Sequence, residues 1–246
     1  MTGSTHLLQM EGISRALRVG TYTKHLLRDV SFTINRGDFV VVWGPGRSGK
    51  STLLRLACGL EHPDSGTVRI EGADLANLTP AERGATRLEA VGLVEPIGAE
   101  TQELLVEDYV ALPLARRLAR RRALERARQT LDTLGVGHVA STRWRALDDR
   151  DRAHVSLAHG LARDPRLLLV DDLTANMDAL EEAEFVSLLA EIARSRRAAV
   201  LMVTSTLSAA VDADEAFTIS DGRLRPVDDS TQRVRRLHRE DRHADR

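Results

Sequence analysis

Cysteine occurs once in this 246-residue chain, at Cys58, and aromatic residues make up only 3%. A lone cysteine excludes an internal disulfide framework and a cysteine-built zinc site. So few aromatic rings exclude a base-stacking surface. An excess of one charge is also missing: 35 basic residues face 36 acidic ones, for a formal charge of −1. No global field draws the chain to nucleic acid, and no nucleic-acid partner is expected. No apolar run approaches the roughly 18 residues that a membrane helix needs. Residues 1–12 lack the charged, apolar and small-residue pattern of a secretory leader. A soluble, cytoplasmic protein is therefore expected. What is present suits a folded chain, because 42% of the residues are apolar and 29% are charged. The length fits one large domain or two modest ones, with a core that needs no staples. Lysine is nearly absent: the basic residues are arginine except at Lys24 and Lys50. A rare lysine inside a glycine-rich loop is the first place to look for chemistry.

Alternation and β-branched content predict strands at 7–13, 27–34 and 67–70. The run Asp38-Phe-Val-Val-Val-Trp43 is apolar throughout, as in a strand buried on both faces of a parallel sheet. A glycine-rich turn and a helical pattern over 51–59 follow. Residues 79–132 read as mostly helical, with an arginine-rich amphipathic helix over 114–131 whose charges form a solvated face. Further helices are predicted at 152–161 and 180–194, and buried strands at 167–170 and 198–204. Residues 216–219 and 223–224 flank Asp221-Gly222, a hairpin turn. The stretch 229–246 is polar and is expected to be a disordered tail. Strands alternating with helices indicate an α/β fold.

Residues 44–51, Gly-Pro-Gly-Arg-Ser-Gly-Lys-Ser, match G-x-x-x-x-G-K-[ST] between a buried strand and a helix. Glycines let backbone N–H groups turn inward around phosphate oxygens, and the helix start adds positive potential. The candidate phosphate-binding set is Gly44, Pro45, Gly46, Arg47, Ser48, Gly49, Lys50, Ser51 and Thr52. Lys50 would reach the β- and γ-phosphates, and Ser51 would hold Mg²⁺. A second expected element, a hydrophobic strand ending in an acid, is Leu167-Leu-Leu-Val-Asp171. Asp171 is the second candidate for Mg²⁺, with Asp172 beside it.

In this order the motifs resemble the ATP-binding subunit of ABC transporters, over about residues 7–225. Val106–Leu114 and Ala175-Asn-Met-Asp178 are similar to segments of the lipoprotein-release and macrolide-export branch. The resemblance implies an α/β P-loop NTPase (RecA-like) core with an antiparallel β subdomain and an inserted α-helical subdomain. The cassette would span 1–228, with the helical part at about 95–155. It further implies ATP and Mg²⁺ as ligands, transmembrane permease subunits on separate chains, and a head-to-tail pair with a second ATP-binding subunit. The location implied is peripheral, at the inner face of the cell membrane.

Departures from the family pattern are as informative as the matches. The signature segment falls on Leu147-Asp-Asp-Arg-Asp151, which puts acids where a serine and glycines hold the opposing γ-phosphate. Pro96 stands at the Q-loop glutamine, with Glu95 as a weak neighbouring substitute. Asp172 replaces the catalytic glutamate, one methylene shorter, and Ser205 replaces the switch histidine. Leu17 stands at the adenine-stacking aromatic, with Tyr22 five residues later. Lys50, Ser51 and Asp171 are spared. The expected protein therefore binds ATP-Mg²⁺ with impaired hydrolysis and a non-identical partner. The alternatives are a working ATPase that uses Asp172, and a nucleotide-independent scaffold.

Overall fold

The computed structural model describes residues 6–96 and 101–227, so the expected tail at 229–246 lies outside the described residues. The chain opens with a long antiparallel hairpin of β1 (His6–Val19) and β2 (Tyr22–Asn35). Then come β3 (Phe39–Trp43), α1 (Lys50–Ala57), β4 (Ser65–Ile70), β5 (Ala73–Asp74), α2 (Pro80–Ala90) and β6 (Val91–Val94). Three helices follow: α3 (Val106–Ala111), α4 (Arg120–Thr133) and α5 (Asp149–Leu161). The chain then returns through β7 (Leu167–Asp171), α6 (Ala179–Arg196), β8 (Ala199–Thr204), β9 (Glu215–Ser220) and β10 (Arg223–Pro226).

Two sheets result. One is antiparallel, in the order β2-β1-β4-β5; the other runs β10-β9-β3-β8-β7-β6, parallel except at the β10 edge. The pleat of the parallel sheet separates two cores. Phe39, Val41, Leu168, Val170, Val200 and Met202 face the helices. Val40, Val42, Leu167, Leu169, Leu201 and Val203 face α1 and the antiparallel sheet. Burial on both faces explains why these strands have continuous apolar sequences. Residues 39–42 of β3, which lead toward the glycine loop, are therefore locked from two sides.

Three sequence expectations need correction. The hairpin strands run well beyond 7–13 and 27–34, because register shifts between Met10 and Ala16 break the two-residue period. Residues 91–94, read with the helical stretch, form β6 and pair with residues 167–170 of β7. The helix expected over 114–131 is broken: a short 3₁₀ turn ends at Leu114, and α4 starts only at Arg120. Ala123, Ala127 and Leu131 of α4 are buried while its arginines are exposed, so the solvated-face reading holds. Among the described residues, no helix is long and apolar enough to cross a membrane.

His159 of α5 stacks 4.3 Å from the ring of Tyr109 on α3. Burial holds its imidazole down at about 4, so it folds in the neutral form. The unfolded chain, near pKa 6.5, binds the extra proton first. Stability from this group is thus present above about pH 6.5 and is lost as pH falls toward 4. By linkage the loss at pH 5 is about 2 kcal/mol. Urea midpoints at pH 7 and pH 5 should show this fall in the wild type, and a smaller one in His159→Gln.

Candidate nucleotide site

The glycine loop leaves the carboxyl end of β3 and delivers Lys50 at the first turn of α1. Two of its glycines are sterically required. A Cβ on Gly44 would sit 2.4 Å from the Ile219 carbonyl oxygen. Gly49 has φ 107°, and its Cβ would sit 2.4 Å from the Leu26 carbonyl oxygen. Gly46 has open space around it, whereas Arg47 adopts φ 63°. An arginine in the left-handed region costs roughly 1 kcal/mol, which a glycine at 47 would avoid.

Lys50 is buried, and its Nζ donates to the carbonyl oxygens of Gly44 at 2.7 Å and Pro45 at 2.9 Å. Ser48 Oγ is buried and has no hydrogen-bond partner among the described residues. Asp171 ends β7 facing the loop. Burial pushes its carboxyl above the ordinary range and the charge of Asp172 adds to this, while a hydrogen bond from Ser51 and the charges of Arg55 and Lys50 pull it back. A cavity of about 360 Å³ opens above the loop, lined by Arg47, Gly49, Lys50, Ser51, Thr52, Asp171 and Asp172. Lys24 and Leu26 of β2 line it as well. Both lysines of the chain therefore border one cavity.

These features fit a nucleoside triphosphate with its metal. An unpartnered buried hydroxyl, inward-turned glycines and a buried ammonium form an anion cradle. Ser51 and Asp171 supply two hard oxygen donors. No group of three metal-ligating acids, histidines or cysteines occurs among the described residues. Mg²⁺ commonly takes one or two protein oxygens and completes its shell with phosphates and water.

Of the departed positions, Asp172 and Pro96 line this cavity. Asp172 has φ 37°, and its carboxylate is closed on both sides by Ser205. Ser205 N–H donates to Oδ1 at 3.0 Å and Ser205 Oγ donates to Oδ2 at 2.5 Å. Pro96 lines the cavity together with Asp172, and Glu95 does not. Leu17 pairs with Lys24 across the hairpin, while Tyr22 is 67% exposed at its tip and lies outside the cavity lining. At the signature segment, Asp148 caps α5 by accepting from Asp151 N–H at 2.7 Å. Asp149 and Asp151 fill the first turn, where acids complement the helix dipole. This capping is why α5 starts at Asp149 rather than near Arg152. Arg150 is held by Glu184 at 2.8 Å.

Sequence reasoning missed two features. A second cavity of about 410 Å³ adjoins the first and shares Pro96 and Asp172 with it, and Gln102, Asp149 and Asn176 line it. A buried carboxylate, Glu182 of α6, accepts from the hydroxyls of Thr174 at 3.1 Å, Ser208 at 2.6 Å and Thr206. It ties the loop after β7 to the loop after β8.

The buried strand, glycine loop, helix start and strand-end acid define a P-loop nucleotide-binding cassette. A family model described as "ABC transporter" matches residues 27–175. A Caulobacter vibrioides protein named lipoprotein-releasing system ATP-binding protein LolD 2 is 32% identical over 222 residues, covering 90% of this chain and 97% of the relative. The chain belongs to the ABC transporter family, as an ATP-binding subunit. The dimeric structure of the bacterial cassette MJ0796 superposes with a TM-score of 0.81 at 23% identity, covering 89% of this chain and 97% of that one. CbiO1 from Clostridium perfringens, described as part of the complex cbiONQ, gives 0.78 at 20% identity, covering 90% and 88%. These neighbours bear out the fold expected from the sequence.

Proposed function

We propose that this chain binds ATP-Mg²⁺ in the cavity above residues 44–52 and turns it over little or not at all. The observation that carries this reading is the contrast between the two halves of the site. Lys50, Ser51 and Asp171 line one cavity with donors suited to phosphates and Mg²⁺. Asp172, at the position of the general base, has both carboxylate oxygens taken up by Ser205. A base must reach the proton of its nucleophile within about 2.6–3.2 Å, directly or through one water. A short acid already satisfied on both oxygens serves a lytic water poorly. Pro96 offers no side-chain oxygen in place of the Q-loop amide.

When bound, Mg²⁺ would neutralise charge on the β- and γ-phosphates from Ser51 and Asp171. Lys50 and the inward N–H groups orient the phosphates, and the burial of Lys50 and Asp171 strengthens both interactions. Family membership supports a membrane role, in which the subunit works with permease subunits on separate chains at the inner face of the cell membrane. A MJ0796 structure is described as dimeric and bound to ADP and Pi, and another neighbour is described as a putative metal-chelate type ABC transporter. Both support a paired cassette acting on membrane subunits. The acidic signature segment supports a non-identical second ATP-binding subunit, and the α3–α5 region supports a helical subdomain at about 95–155. Equilibrium ATP binding measured beside steady-state ADP release tests the reading. Saturable binding with negligible sustained release is expected; sustained turnover would favour an ATPase based on Asp172.

A further inference from the structure

Ser205 stands where sequence comparison expects a histidine, and its surroundings suit a different chemistry. Its Oγ donates to Asp172 Oδ2 at 2.5 Å. Lys50 Nζ donates to Ser205 Oγ at 3.3 Å. The backbone is fixed on both sides: Trp43 Nε1 donates to the Ser205 carbonyl at 3.1 Å, and Ser205 N–H donates to Asp172 Oδ1 at 3.0 Å. The parallel register of β7 with β8, which sets Asp171 opposite Val203, brings the two loop residues together. Ser205 is exposed, and its two side-chain partners, Lys50 and Asp172, line the nucleotide cavity.

A hydroxyl that donates to a carboxylate beside a phosphate-binding lysine is the acceptor arrangement of a phosphoryl transfer. We infer that the chain phosphorylates its own Ser205 with the γ-phosphate of ATP. The inference rests on the nucleotide-binding reading above. Ser205 Oγ forms the new bond to the γ-phosphorus. The bond from that phosphorus to the β–γ bridging oxygen breaks, and ADP leaves with the electron pair. The hydroxyl proton passes to Asp172. Lys50 and the loop N–H groups offset the charge on the transferring group. The closed Asp172–Ser205 pair that disfavours water as nucleophile is what favours serine, because the proton nearest the base belongs to Oγ. The reaction limits itself to one event per chain. Phosphoserine at 205 would pair with Lys50, crowd Asp172 and put a fixed negative charge beside the γ-phosphate position.

The full-length chain is incubated with Mg²⁺ and γ-labelled ATP, and ATP binding is titrated on the same preparation. Intact mass and phosphopeptide mapping follow the label. The expected result is at most one phosphate per chain, on Ser205, at a rate unchanged by diluting the protein. Ser205→Ala should abolish the label. Ser205→Thr should recover it as phosphothreonine, and Asp172→Asn should slow incorporation by about 100-fold or more, as for loss of a general base. ATP binding without label on Ser205 overturns the inference and leaves the nucleotide reading standing. Absence of ATP binding overturns both. A labelling rate that rises with protein concentration overturns transfer within one chain.

Discussion

Lys50→Ala should weaken ATP binding by ~2 kcal/mol or more, which is about 30-fold in Kd. The estimate follows from a lost charge-assisted contact in a buried setting, where the ammonium faces little competition from water. The side chain also satisfies the carbonyls of Gly44 and Pro45, so the variant should melt lower as well. Calorimetric titration at a temperature where both proteins are folded separates the two effects. Equal affinity in wild type and variant would mean that the loop no longer serves nucleotide, and the scaffold alternative would gain.

The second large effect concerns the signature segment. In a head-to-tail pair, residues 147–151 of one subunit face the nucleotide of the other. Asp148 and Asp149 would oppose the γ-phosphate, by on the order of 1 kcal/mol per charge pair in water and several-fold more at lower dielectric. Asp148 also uses its carboxylate on its own helix start, so an N–H that would otherwise meet the phosphate is already bonded. Arg150 turns to Glu184, and Arg152 pairs with Asp149 at 3.0 Å, which offsets part of that acid's charge and leaves Asp148 without a basic partner among the described residues of this segment. The unmodified chain should therefore form no homodimer on adding ATP, as judged by sedimentation or small-angle scattering. Asp148→Ser with Asp149→Gly should permit one. Serine keeps the helix cap, and the pair of changes removes charge and restores backbone access. A robust ATP-dependent homodimer of the unmodified chain would overturn this account of the loop.

How much of this was legible beforehand depends on how local the chemistry is. The phosphate loop occupies residues 44–51 without interruption, so strand, glycines, lysine and serine can be recognised together. The buried strands β3, β7 and β8 are equally readable, because burial on both faces leaves a continuous apolar run, whereas the four residues of β6 merge with the helical stretch around them. Asp172 and Ser205 could each be singled out, but their bond spans 33 residues and appears only when β7 and β8 are laid side by side. Lys24 carries a signal in its rarity: it is one of only two lysines, and both border the same cavity. Seeing that required knowing that β2 folds over the loop, with Leu26 close against Gly49. The Glu182 network had no sequence signal, since a glutamate on a helix with neighbouring acids reads as a solvated charge. The acidic segment at 147–151 was legible as a departure, but its role as a helix cap was not. Capping depends on where α5 begins, and the three acids obscured that boundary.

The account's central claim is that the chain holds ATP without cycling it. The direct measurement follows bound ATP and released ADP over time on one sample of the full-length chain with Mg²⁺. The account predicts saturable binding and ADP that levels off at or below one equivalent per chain. Continued linear release of ADP, abolished by Asp172→Asn, would contradict it.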